Sequence, residues 1–364
     1  MKFSVIRSKF LDGLQTVQNV VSAKGSLQIL SNALIQAEDS RLCMTTTDLD
    51  ISEKCFVECE VDQPGSTTLP IRRLASIIRE LDEGKILVEV GEDDVATVQC
   101  GSSFFKIIGL PTRDFPPVPV AEGKFCYRTD QGVFREMLRK TCYAASQDET
   151  RRVLNGVLMA FKENKLTMVA TDGRRLALVE HEIEFPPEAE VEMILPTKAV
   201  SELMRILSNE GILKIYSQKN QVIFELEKTI LSSKLIDGVY PNYRQVIPSG
   251  CDERVTIERE QLLAALRRVS VVTTDKSNAT RLTFSANQLT ITTNTPDVGE
   301  GRDTVPVKYV GKEISIIFNP EYVMDPLKNI TDDEVFIEMN DGHSPALLKC
   351  SIPFLYVLMP LRIN

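Results

Sequence analysis

Residues 69–81 read LPIRRLASIIREL, a proline followed by apolar residues at helical spacing with arginines between them. Proline suits the first turn of a helix, where its fixed φ is already correct and its missing N–H would have had no partner. The same plan returns as LPTKAVSELMRIL (195–207) and NPEYVMDPLKNI (319–330), so that Pro70, Pro196 and Pro320 stand 126 and 124 residues apart. A repeat of that length decides the architecture: the chain is three copies of one unit.

Working outward, a second helical series precedes the first. SKFLDGLQTVQNVVS (8–22), DQGVFREMLRKTCYAAS (130–146) and EREQLLAALRRVSVVTT (258–274) place Leu14, Leu138 and Leu266 in register, 124 and 128 residues apart. A polar turn follows each proline by 21 residues, at Gly91, Ser217 and Asp341, flanked by alternating strands such as KILVEV and VFIEM. A closing strand comes about 35–40 residues after each proline: FKIIGL (105–110), SKLIDG (233–238) and YVLMPL (356–361). The apolar tail is thus the third copy of a strand that the other two units bury. LTMVATDGRRLALVEHEI (166–183) reads as a hairpin in which Asp172 and Gly173 take φ > 0. Its counterparts are LCMTTTDLDIS (42–52) and LTITTNTPDVGEG (289–301). Proline-rich joints at 110–123 and 240–252 bound the units. The expectation is an α+β chain of three similar domains, 1–120, 121–248 and 249–364, each with two helices packed on antiparallel sheets of about eight short strands.

Composition removes most function classes. With 364 residues, 43% hydrophobic and 26% charged, the chain exceeds what a single core serves, and no apolar run approaches the roughly 18 residues that span a bilayer. The opening MKFSVIRSKFLDGL breaks its apolar residues with charges and lacks a signal-peptide core, so a cytoplasmic protein is expected. Eight cysteines are scattered without C-x-x-C spacing, which predicts free thiols and no metal site. His181 and His343, the only histidines, sit in unlike contexts without a nucleophile or carboxylate arrangement. Neither nucleotide-binding glycine motif occurs. No enzyme and no cofactor are expected.

The net charge of −9 argues against binding nucleic acid by bulk electrostatics. The charge is nonetheless segregated. Over 8–22, 70–81, 131–143, 197–208, 260–270 and 321–329 there are 12 basic and 7 acidic residues, a net +5 against −14 for the remainder. One basic helical surface on an acidic protein fits a loose, sequence-independent association with phosphate. A three-domain protein-binding scaffold that never touches DNA is the alternative reading.

The segments LPTRDFPPVP (110–119), DETRRVLNGV (148–157), ATDGRRLALV (170–179), KLIDGVYPNYRQVIP (234–248) and YVLMPLR (356–362) closely resemble the bacterial sliding clamp, the DNA polymerase III beta subunit family, in order along the whole chain. The resemblance implies a non-enzymatic, head-to-tail homodimeric ring of six similar domains, with helices lining a hole that passes duplex DNA. It implies as partners the polymerase III alpha subunit, an ATPase clamp loader and other proteins carrying a clamp-binding peptide. Matching motifs carry over a peptide groove between the second and third domains. It would be lined by Leu154, Thr171, Gly173, Arg174, Arg175, Leu176, Pro241, Gln245, Val246, His343, Pro345, Val357, Met359, Pro360, Leu361 and Arg362. Apolar walls would accept hydrophobic anchors, and Arg and Gln would orient polar groups. DNA contact falls, by helix position and family match, on Lys24, Arg72, Arg73, Gln147, Arg151 and Lys198. At the dimer contact, Phe105 and Ile107 would meet Val271 and Val272, with Glu300 and Asp303 as polar neighbours. Along the tail, alternation sends Leu358 to the third domain's core and Val357, Met359 and Leu361 to the groove, while Pro360 loosens the ladder and frees backbone.

Overall fold

In the computed structural model, which describes residues 1–21, 27–274, 278–296, 298–351 and 353–362, both helical series form. The six α-helices are α1 Arg7–Val17, α2 Ile71–Glu80, α3 Gln131–Thr141, α4 Thr197–Ile206, α5 Arg259–Ser270 and α6 Pro320–Asn329. The register leucines Leu14, Leu138 and Leu266 are all fully buried, each contributing on the order of 1.5–3 kcal/mol by leaving water. The prolines behave unequally. Pro320 is the first residue of α6, but Pro70 is the cap of α2 and Pro196 closes the strand before α4. A fixed φ suits the cap and the first turn alike, so the proline series starts within two residues of its expected positions, whereas helices of the first series stop four or five residues before the periodic segments do, at Val17, Thr141 and Ser270.

The chain gathers into two compact units, Met1–Arg135 with Ser201–Leu235, and Glu136–Val200 with Ile236–Asn364. In the first, α1 and α2 pack together over a core of Phe3, Phe10, Leu14, Ile35, Leu74 and Val88. Gly13 faces the strands there, and a Cβ would collide with Met44 and Val57. An antiparallel sheet runs Cys126–Asp130, Ile212–Ser217, Gln221–Glu225, Thr229–Lys234, Ile51–Glu58, Arg41–Thr47, Asn32–Glu38, Gly65–Pro70. Its middle pairing, Thr229–Lys234 on Ile51–Glu58, fuses strands of the first and second repeats. A five-stranded sheet ends in the edge strand Ser103–Ile108.

One buried polar contact locks this fused sheet. Arg205 on α4 donates to both oxygens of Glu53 (3.2 and 3.0 Å) and to the Thr16 carbonyl (2.6 Å), and pairs with Glu202 at 2.9 Å. Glu53 is fully buried, and burial pushes its carboxyl up to about 8 against the opposing pull of Arg205.

The second unit repeats the device. Its eight-stranded sheet runs Val191–Pro196, Gly156–Lys162, Lys165–Thr171, Arg175–Glu182, Phe354–Leu358, Ala346–Lys349, Glu334–Met339, Glu253–Glu258, joining second-repeat to third-repeat strands where Arg175–Glu182 pairs with Phe354–Leu358. The tail is therefore an interior strand of a sheet. α5 and α6 pack together, and a four-stranded sheet ends in the edge strand Gly299–Pro306. No helix among the described residues is long and apolar enough to cross a membrane.

Candidate partner groove and nucleic-acid surface

The hairpin at 165–182 presents the turn on which the expected groove depends. Thr171 pairs with Leu176, so the connection has four residues and only Gly173 adopts positive φ (+85°); Asp172 does not. Asp172 instead folds the turn with its side chain, Oδ1 accepting from the Arg174 and Arg175 N–H groups at 2.8 and 3.0 Å. The Thr171 hydroxyl donates to the Arg175 carbonyl (2.6 Å) and accepts from the Gly173 N–H (3.0 Å). The sequence T-D-G thus supplies its own hydrogen bonds, leaving the turn rigid before any partner arrives.

Beyond the turn the two faces of the strand part company. Leu176 pairs with Val357, and both join an apolar cluster with Leu158, Val169, Ile194, Tyr240 and Leu347, edged by Leu154, Tyr243 and Ile247. Of the expected groove residues, Leu154, Leu176 and Val357 are brought together here. Val357 is a floor residue at 1% exposure, while Met359, Val246, Gly173, Arg174, Pro241, Gln245, His343 and Arg362 are exposed. Thr171, Pro345, Pro360 and Leu361 are half-buried. Leu358 is buried on the face opposite Val357, as alternation requires. The tail is better anchored than expected. Met359 N–H donates to the Arg174 carbonyl (3.0 Å) and Leu361 N–H to the Ile317 carbonyl (2.8 Å), so the backbone on both sides of Pro360 is engaged.

Sequence reasoning missed Tyr240, Tyr243, Ile247 and Leu347. The aromatic pair in V-Y-P-N-Y was the available signal, since large side chains beside a proline joint need a surface to cover. Burial pushes the Tyr240 phenol well above its ordinary value, and its hydroxyl has no hydrogen bond of good geometry among the described residues.

Two arginines take roles other than those expected. Arg175 faces away from the apolar cluster of Leu176 and Val357. It pairs with Leu358 on the opposite face, where its side chain is only 10% exposed and its donors are spent on Asp172 (3.1 Å), Asp325 (2.5 Å) and the Tyr143 carbonyl (2.6 Å). Its guanidinium also lies 4.3 Å from the Tyr322 ring centroid. Arg151, expected at DNA, donates through Nη1 to the Asp172 carbonyl at 3.0 Å and so braces the groove turn.

The other nucleic-acid candidates stay on the surface. Arg72 and Arg73 are exposed on α2, opposite its buried Ile71, Leu74, Ala75 and Ile78, with Arg72 donating to the Val21 carbonyl (2.8 Å). Gln147 and Lys198 are exposed, and Lys24 lies outside the described residues. The helical charge is less uniform than its sum. Lys9, Arg139, Lys140, Arg205 (with Glu202), Arg268 and Lys328 are ion-paired. Arg72, Arg73, Arg79, Arg135 and Arg267 have no carboxylate within ion-pair distance among the described residues. Three of these five arginines lie on α2.

At the expected dimer contact, Ile107 is corrected. It is 4% exposed and belongs to the first unit's core, whereas Phe104, Phe105 and Ile108 (76%) face out. Val271 is exposed and Val272 half-buried. Asp303 is already paired with Arg268 at 2.6 Å, which holds its carboxyl below the usual range, and Glu300 accepts from Asn294 at 3.0 Å.

Comparison with known proteins then covers the whole chain. Residues 1–119, 128–242 and 244–362 match the N-terminal, central and C-terminal domain families of the DNA polymerase III beta subunit. The chain is 33% identical over 364 residues to the beta sliding clamp of Chlamydia muridarum, and 32% over 367 residues to that of Pseudomonas putida, covering all of both chains in each case. Among solved structures it is similar to a DnaN sliding clamp from Pseudomonas aeruginosa bound to griselimycin (TM-score 0.96, 33% identity). It is also similar to the sliding clamp of Bacillus subtilis (TM-score 0.96, 26% identity), and both comparisons cover all of both chains.

Proposed function

The chain belongs to the DNA polymerase III beta subunit family, the bacterial beta sliding clamps, and from that premise we propose that two copies close head to tail into a ring around duplex DNA. It is a DNA sliding clamp and partner scaffold with the three-domain clamp fold, and not an enzyme. Its domains divide at 1–120, 121–248 and 249–364, and it works in the cytoplasm without a cofactor.

The observation that supports ring closure is apolar exposure beside two of the sheet edges, Ser103–Ile108 and Gly299–Pro306. An open edge carries a row of unsatisfied N–H and C=O groups and is a template for another strand. Phe104, Phe105 and Ile108 crowd one edge, and Val271 and Val272 stand at the end of α5, which packs on the other. Joining the first edge of each copy to the second edge of its partner is heterologous and closes after two subunits.

Inside the ring, Arg72 and Arg73, with Gln147 and Lys198, meet phosphates and leave the bases unread. A ring held by topology needs no tight grip, which reconciles sliding with a net charge of −9. The cluster around Leu176, Val357 and Tyr240 takes the apolar anchors of partner peptides, from the polymerase III alpha subunit, the clamp loader and other proteins. Gln245, exposed beside this cluster in sequence, remains to meet peptide polar groups.

The test is retention. Clamp loaded on nicked circular duplex should stay through a gel-filtration column and be lost when the circle is linearised. Arg72→Ala with Arg73→Ala should lower the slope of log affinity on log salt by about 0.9 for each phosphate contact removed. Equal retention on circular and linear DNA would overturn the ring.

A further inference from the structure

The first unit contains a second copy of the groove turn. Asp48 Oδ1 accepts from the Asp50 and Ile51 N–H groups (3.0 and 2.8 Å), and the Thr47 hydroxyl donates to the Ile51 carbonyl (2.9 Å) and accepts from the Leu49 N–H (3.0 Å). These are the bonds of Asp172 and Thr171, in the same positions. Leu49 stands where Gly173 does and holds φ +79°, a conformation that strains any residue with a Cβ. The residue is 46% exposed. Beside it the fused sheet pairs Ser52 with Ser232, as the other pairs Leu176 with Val357. A cavity of about 380 Å³ opens at this point, between the turn, the Pro117–Val118–Pro119 wall and Gln221. Gln218 fixes the chain beyond that wall by donating to the Glu122 carbonyl at 2.6 Å.

We propose that this cavity is a second docking site, for an extended peptide segment bearing a carboxamide side chain, glutamine or asparagine. The comparison with the first groove rests on the function proposed above, but the chemistry stands on its own residues. The floor is hydroxyl where the other is aliphatic: Ser52 donates to Thr47 at 3.1 Å, and Ser232 is nearly buried with no hydrogen bond of its own among the described residues. An aliphatic anchor would strand the Ser232 hydroxyl. A charged anchor gains little, because the rim charges Asp50 and Lys234 already pair at 3.0 Å. A carboxamide both donates and accepts without charge, matching Ser232 and the Gln221 amide, while Leu49 and Pro117 cover its methylene stem. The strain at Leu49 keeps an apolar side chain where glycine would relieve the backbone and leave that wall open.

The experiment is a methyl NMR titration of the full-length protein with acetyl-Gly-Gln-Gly-amide and, separately, acetyl-Gly-Leu-Gly-amide. Leu49 and Val118 report on this cavity, Leu176 and Val357 on the other groove. The glutamine probe should shift Leu49 and Val118 saturably in the millimolar range, at least threefold more tightly than the leucine probe, and Ser232→Ala should weaken it at least threefold. A response at Leu49 and Val118 that favours the glutamine probe supports the site whatever Val357 does. No saturable shift there up to 50 mM probe (roughly 1.8 kcal/mol of affinity), or an equal response to the leucine probe, would overturn it.

Discussion

Replacing Arg175 by alanine separates a bracing role from a peptide contact. The guanidinium donates to Asp172 at 3.1 Å, Asp325 at 2.5 Å and the Tyr143 carbonyl at 2.6 Å, and covers the Tyr322 ring. Its two carboxylate partners have side-chain exposures of 15% and 24%. Removing one member of a buried pair costs about 3–5 kcal/mol, because the partner is left desolvated and unpaired. Here Asp172 keeps two backbone donors and Asp325 keeps Lys328 at 3.4 Å, which places the loss toward the lower end. The lost cation–π contact adds about 1 kcal/mol. Arg175→Ala should therefore destabilise the second unit by about 3–4 kcal/mol in urea unfolding. Arg175→Lys should recover only part, since an ammonium cannot reproduce the fork. A double-mutant cycle with Asp325→Ala should return a coupling of about 1–3 kcal/mol. Unfolding within 1 kcal/mol of wild type, together with lost partner-peptide binding, would refute the reasoning and return Arg175 to the groove.

Three further outcomes are expected. Glu53 is held protonated by burial, so between about 4.5 and about 8 the folded chain carries a proton the unfolded chain has released; stability falls as pH rises through that window and levels above it. Glu53→Gln should flatten that slope in denaturation midpoints from pH 5 to 9, and an unchanged slope would assign the pH dependence elsewhere. Ile108→Asp should give a folded monomer by sedimentation velocity, whereas Ile107→Ala should keep the dimer and lose about 2–5 kcal/mol as a core truncation. Removing residues 360–364 deletes half-buried wall and the Leu361 hydrogen bond to Ile317, so calorimetry should show peptide affinity falling by about 2 kcal/mol or more. The melting temperature should move only by the equivalent of about 1 kcal/mol.

Much of this was legible in sequence because a repeat reports on itself. Three prolines and three leucines in register fixed the helices and the tail's strand identity, since periodicity reflects which face of an element is buried. That Leu154, Leu176 and Val357 share one apolar cluster could be anticipated by motif. The polar ones could not be assigned roles that way. Arg174 and Arg175 are adjacent in sequence and end on opposite fates, exposed and enclosed, because Arg174 stays in the turn while Arg175 enters the sheet opposite Leu358. Arg151 is 21 residues from the Asp172 carbonyl it binds, a distance that no local pattern encodes.

Ile107 and Ile108 state the division most plainly. Two isoleucines in one apolar strand predict an edge worth covering, and the sequence by itself determined that strand, its repeat and its position as the closing strand. Which isoleucine faces the core was decided by pairing across to Val95–Cys100, where Ile107 falls opposite Ala96 and beneath the helices. The same holds at the two fused sheets. Local chemistry wrote an identical T-D turn twice, but whether the strand beyond it meets serine or valine depends on a partner strand about 180 residues away. Turn geometry is set by neighbours along the chain. The character of a groove is set by what tertiary packing brings across from it.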